Sequence, residues 1–137
     1  MDLEDAEAKV HAAVEAARDA VGPGGTVSPV ESTGRQRCQE GLTLRFRGRY
    51  QTSLSLEVRA PSQEGLDPAA AAIEARWRAD GWGVQSERLA DAPTRELAAE
   101  DDDFDLKVRF FDDAGGGFLR VSATTPCARP RAEIPGE

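Results

Sequence analysis

Two cysteines, one histidine and a run of aspartates are the residues with the most obvious chemical potential in this chain. Cys38 lies in "GRQRCQEGL" and Cys127 in "ATTPCARP". Each sits in a polar, arginine-flanked loop, one just before the first alternating run and one just after the last apolar run. If those runs are neighbouring strands, their ends can approach within the ~5.5–6 Å that a disulfide requires. A Cys38–Cys127 bridge would close a loop of about 90 residues, worth on the order of 4.5 kcal/mol on the chain-entropy model. It would also imply an oxidising compartment. The competing reading is two unrelated buried thiols in a cytoplasmic protein. Two isolated cysteines and one helical histidine lack the spacing of a metal centre, and no metal or other cofactor is expected.

The remaining chemical candidates are weaker. His11 borders the apolar stripe of a helix, and no serine or cysteine motif supplies it with a partner, so no catalytic residue is assigned and the chain is not expected to be an enzyme. "DDDFD" places Asp101, Asp103 and Asp105 at alternating positions, where a strand would present them on one exposed face. A calcium loop needs Gly at its sixth position, and this chain has Leu106 there. "AGGGF" lacks the Lys-Ser/Thr of a phosphate loop and reads as a hairpin. Trp77 and Trp82 flank Gly81 and are the candidates for lining a ligand groove, although helical and strand-inward spacing also suits them as core. "RFRGRY" interleaves basic and aromatic residues, but its alternation separates Arg45, Arg47 and Arg49 from the aromatics. That arginine row is the candidate contact surface.

These residues need elements to position them. Leu3, Ala6, Val10, Ala13, Val14, Ala17 and Val21 recur at helical steps behind Asp2, and "GPGG" follows, so a helix is expected over about 3–20. Residues 22–41 have no periodicity and read as a long connection. From Leu42 to Val58 the apolar residues fall on even positions, over a length that suggests a hairpin turning near Gly48–Thr52. "GLDPAAAAIEARWRADG" reads as a second helix, with Asp67 as N-cap, Pro68 at the first position and Gly81 as the stop. A strand near 82–89, a short edge strand over 95–99, an even-parity strand from Phe104 to Phe110, a hairpin loop at 112–117 and a return strand through Leu119, Val121 and Ala123 complete the pattern. Buried aromatics, Phe46, Tyr50, Trp77, Trp82, Phe104 and Phe110, are expected to supply much of the core. The fold class expected is α+β: a two-layer sandwich, with a mostly antiparallel sheet and two helices on one face. Residues 1–127 form its single domain, and 128–137 a flexible tail.

Composition narrows the partners. The net charge is −8, with 15 Arg and only 2 Lys, and this argues against a nucleic-acid partner. Basic residues concentrate in 35–59 and acidic ones in 96–113, which suggests two complementary faces within one sheet. Residues 1–21 lack the apolar centre of a signal peptide. Together, "VGPGGTVSPVESTGRQRC", "WRADGWGV" and "FLRVSATTPC" resemble small predicted actinobacterial lipoproteins. The resemblance implies export, trimming at a lipobox cysteine that this sequence lacks, and pairing of an early cysteine with one in a late (S/T)PC. It implies a membrane tether through a segment absent here, and an extracytoplasmic location at the cell envelope or secreted. It supplies no activity. The expected function is a non-enzymatic envelope domain that binds an unidentified protein or other envelope partner. The alternative is a cytoplasmic acidic interaction protein, such as an immunity or regulatory subunit.

Overall fold

The computed structural model describes residues 1–38, 48–101 and 103–131. Helix α1 spans Leu3–Val21. Asp2 begins it as the sequence suggests, its carboxylate accepting from the Asp5 amide at 2.9 Å. Its stripe of Leu3, Ala6, Val10, Ala13, Val14 and Ala17 is buried. A single 3-10 turn at Gly22–Gly24 then leads into β1, Thr26–Val27, and β2, Glu31–Arg37. The stretch read as a long connection therefore holds two strands. Every residue of β2 is exposed, so burial imposes no alternation on its sequence. It is held instead by its antiparallel pairing with β3, Tyr50–Arg59, across a bulge between Ser32 and Arg35 where Gly34 takes φ 71°.

β3 is one continuous ten-residue strand whose even residues face the core. Thr52 lies inside it, so no hairpin turns at Gly48–Thr52, and the hairpin partner of β3 is β2. Leu42, Leu44 and Phe46 lie outside the described residues. Helix α2, Leu66–Ala79, then carries the chain across the sheet to its far edge. The helix stops as read: Gly81 takes φ 99°, its amide bonds to the Arg78 carbonyl at 3.1 Å, and the Trp82 amide bonds to the Trp77 carbonyl at 3.0 Å. That is a Schellman ending, which a left-handed glycine permits.

The chain finishes as a meander: β4 (Val84–Glu87), β5 (Glu96–Asp101), β6 (Phe104–Phe111) and β7 (Phe118–Thr124). Among the described residues the seven strands form one sheet in the order β1-β3-β7-β6-β5-β4, with β2 also on β3, and every pairing is antiparallel. β5 is thus an interior strand, not an edge, and β4 is the edge. Both helices pack on one face, α1 over β3 and β7 and α2 over β4, β5 and β7, giving an α+β sandwich of two layers. Leu56, Val58, Ile73, Trp77, Phe104, Leu106, Val108, Leu119 and Val121 are almost wholly buried between the layers. Each such aliphatic or aromatic side chain contributes about 1.5–3 kcal/mol relative to exposure. Tyr50 and Trp82 are also buried, Phe110 is half-buried, and Phe46 lies outside the described residues.

Candidate functional site

The Cys38–Cys127 disulfide is present, with the two Cα atoms 6.2 Å apart at a sequence separation of 89. Its position follows from the order of the strands. Cys38 immediately follows β2 and Cys127 follows β7, and both strands flank β3. The Cys38 amide donates to the Arg49 carbonyl at 3.0 Å, which closes the base of the β2–β3 connection. On the other side, residues 125–131 run as a strap back across the start of β3. The Thr125 amide donates to the Thr52 carbonyl at 3.0 Å, and the Thr52 amide to Thr125 Oγ1 at 3.0 Å. Tyr50 and Ala128 exchange two backbone hydrogen bonds of 2.8 and 2.9 Å. The Leu3 amide donates to the Arg129 carbonyl at 2.9 Å, so the strap also holds the start of α1. Leu3, Tyr50 and Ala128 form a small satellite core beneath it. The flexible tail expected from residue 128 onwards is therefore corrected at its beginning: 128–131 are bonded into the fold, through backbone groups that leave no mark on side-chain composition.

Charge reinforces the same corner. The first turns of α1 carry Asp2, Glu4, Asp5 and Glu7, and two arginines from distant segments bind them. Arg35 of β2 bonds Glu7 at 2.7 Å and Glu4 at 3.3 Å. Arg131 of the strap meets Asp2 at 2.9 Å and Asp5 at 3.2 Å, and its amide donates to Glu4 at 2.7 Å. Arg35, with Thr52 Oγ1 donating at 2.8 Å, holds the Glu7 carboxyl below its ordinary range. The basic 35–59 and acidic 96–113 segments expected to be complementary do meet, at Arg59 and Asp113, but their strands do not adjoin. β7 separates β3 from β6, Arg35 turns to the helix, and Arg59 reaches Asp113 at 2.7 Å in the β6–β7 loop. Arg59 and the amides of Gly117 and Gly115 hold Asp113 down at about 2.

Of the candidate arginine row, Arg45 and Arg47 lie outside the described residues. Arg49 precedes β3 and is half-buried, with its Nε enclosed and without a hydrogen-bond partner among the described residues. The two tryptophans separate. Trp77 is fully buried, and its indole Nε1 donates to the Ala13 carbonyl at 2.9 Å, so it joins α1 to α2 and lines no groove. Trp82 forms part of an open groove of about 390 Å³ with Lys9, Ala13, Arg76, Asp80 and Asp101. Lys9 Nζ stands 4.8 Å from the ring centres of both Trp82 and Phe104 and 3.3 Å from Asp101. Arg76 pairs with Asp80 at 3.2 Å. The charged groups of this groove are thus already engaged with one another.

The aspartate run does not share a face. Asp101 ends β5 and faces Lys9 on the helix side, whereas Asp105, on β6, pairs with Lys107 at 3.3 Å on the open side. Asp103 lies in the tight turn between these strands, at φ 71°. Among the described residues no group of three His, Cys, Asp or Glu side chains converges on a point that could hold a metal ion. His11 is on the surface, 4.0 Å from Glu15.

One feature lies where the alternation would place polar residues. Phe111 and Phe118 stack on the open face of the sheet with centroids 5.6 Å apart. Arg59 lies 4.8 Å over Phe118, and Arg120 lies 5.2 Å over Phe111. Phe118 is thereby covered, and Phe111 remains 41% exposed. The available signal was parity: both phenylalanines fall out of phase with the buried residues of their own strands. No family model, curated protein or solved structure matches this chain. No helix among the described residues is long and apolar enough to cross a membrane.

Proposed function

We propose that this chain is a non-enzymatic extracytoplasmic domain of lipoprotein type, an interaction module at the cell envelope. The observation that carries the reading is the Cys38–Cys127 disulfide, which is consistent with an oxidising, extracytoplasmic compartment. It lies where the chain's early and late segments meet, as the resemblance to envelope lipoproteins implies. An open, polar sheet face opposite the helices, with Phe111 exposed on it, supports a role in contact with an envelope partner. The second reading, a cytoplasmic acidic interaction protein, draws on the net charge of −8 and requires both cysteines to stay reduced.

Compartment separates the two readings. Intact cells of the native host are labelled with a membrane-impermeant amine reagent and then fractionated. The account expects the protein to be labelled and to be recovered with the envelope or the medium. Recovery of unlabelled protein with the cytosol alone would overturn it.

A further inference from the structure

We propose that the strap, residues 125–131, is a redox latch whose docking depends on the Cys38–Cys127 bond while the sheet beneath it does not. What holds the strap in place is small beside what ordering it costs. Its non-covalent ties are the two Tyr50–Ala128 bonds, the Leu3–Arg129 bond, the pair linking Thr125 to Thr52 and the bond from the Arg131 amide to Glu4. The Arg131 ion pairs add little, because that side chain is 64% exposed and surface pairs are screened by solvent. The buried strap side chains are small, Thr125 and Ala128, so little apolar area leaves water. Fixing one residue's backbone costs about as much as one net hydrogen bond returns, and the strap has more residues to fix than bonds to make. The disulfide sits in the middle of the segment and removes most of that entropic cost by tethering it in place. By contrast, the β3–β7–β6 ladder and the core under α1 and α2 make no use of strap residues.

The latch opens by thiol–disulfide exchange with a dithiol. A dithiol thiolate attacks Cys127 Sγ, which is half-buried where Cys38 is 8% exposed. A mixed disulfide forms as the Cys38–Cys127 bond breaks, and Cys38 leaves as a thiolate and takes a proton. The second dithiol sulfur then displaces Cys127 as a thiol and closes the reductant's own disulfide. Two electrons and two protons have passed to the protein. The strap leaves, Leu3 and Tyr50 lose their cover, and the acidic first turns of α1 lose Arg131.

Amide hydrogen exchange on the full chain tests this, comparing oxidised protein with protein reduced by dithiothreitol. A Cys38→Ser/Cys127→Ser variant gives the same readout without relying on reductant access. The expected result, once the bond is broken, is exchange faster by about tenfold or more and close to the unprotected rate at Leu3, Tyr50 and Ala128, while the central amides of β6 and β7 stay strongly protected and speed up only as far as the lost crosslink lowers global stability. Unchanged protection at Leu3, Tyr50 and Ala128 would overturn the proposal, since the hydrogen bonds would then suffice. Equal acceleration at every amide would overturn it too, because strap and sheet would then be one cooperative unit. The inference concerns the oxidised chain wherever it resides, so this experiment and the localisation test fail separately.

Discussion

Asp67 is among the most heavily committed carboxylates of the described residues. It lies in the first turn of α2, and it accepts from the Arg95 amide and Nε at 3.0 Å each and from Arg95 Nη2 at 3.1 Å. Arg88 adds a contact of 2.6 Å, and Glu74 takes the other side of Arg95 at 3.2 Å. This network fastens the β4–β5 connection to α2. The Arg95 guanidinium, followed by its amide and Arg88, holds the Asp67 carboxyl far below the ordinary carboxylate range. A carboxyl with a depressed folded-state pKa stabilises the fold above its unfolded value, near pH 4, and loses that contribution as pH falls towards its folded value. Arg95→Ala is therefore expected to cost about 1–2 kcal/mol at pH 7 by urea denaturation. It should also flatten the decline in stability between about pH 4 and pH 2 relative to wild type. Parallel pH profiles for the two proteins would contradict this. Asp67 reads in sequence as an N-cap because Asp before Pro is a common start signal, yet Gly65 occupies that place and Leu66 begins the helix. Tertiary partners override a local preference, and no local pattern announces Arg95.

At the scale of elements, legibility follows burial. Both helices and the even residues of β3 and β6 can be read in advance, because one buried face forces a period on the sequence. The ending of α2 is equally legible, and its test is simple. Gly81 sits at φ 99° with open space where a Cβ would go, so Gly81→Ala meets a conformational cost with no steric clash added. The expected loss is about 1 kcal/mol in chemical denaturation, with the native contacts around Trp82 retained in its fluorescence. A neutral or stabilising outcome would show that the helix ends for another reason. β1, β2 and the strap are the illegible elements, for one shared reason. β2 is exposed throughout, and the strap is held by main-chain groups, so neither writes a hydropathy pattern. β5 is legible as a strand but not as an interior one, since Glu96–Asp101 carries few large apolar residues.

At the scale of the molecule, an early and a late segment of the chain converge. The start of α1, the end of β2, the start of β3 and the C-terminal strap meet at one corner, joined by a disulfide, by backbone bonds and by Arg35 and Arg131 among the acids of α1. The two cysteines of this corner could be found from sequence, because their loops bracket the strands. Glu7, Thr52 and Arg131 could not, because only the folded path brings them together. On the chain-entropy model a crosslink of this span contributes on the order of 4.5 kcal/mol, a large share of the stability of an ordinary domain. The claim about location and the claim about the latch both need that bond to exist in the protein as its host makes it. The direct measurement is to purify the protein from its native host, alkylate it under denaturing, non-reducing conditions and weigh it intact. The account predicts no alkylated cysteine, and two after prior reduction. Two alkylated cysteines without reduction would contradict it.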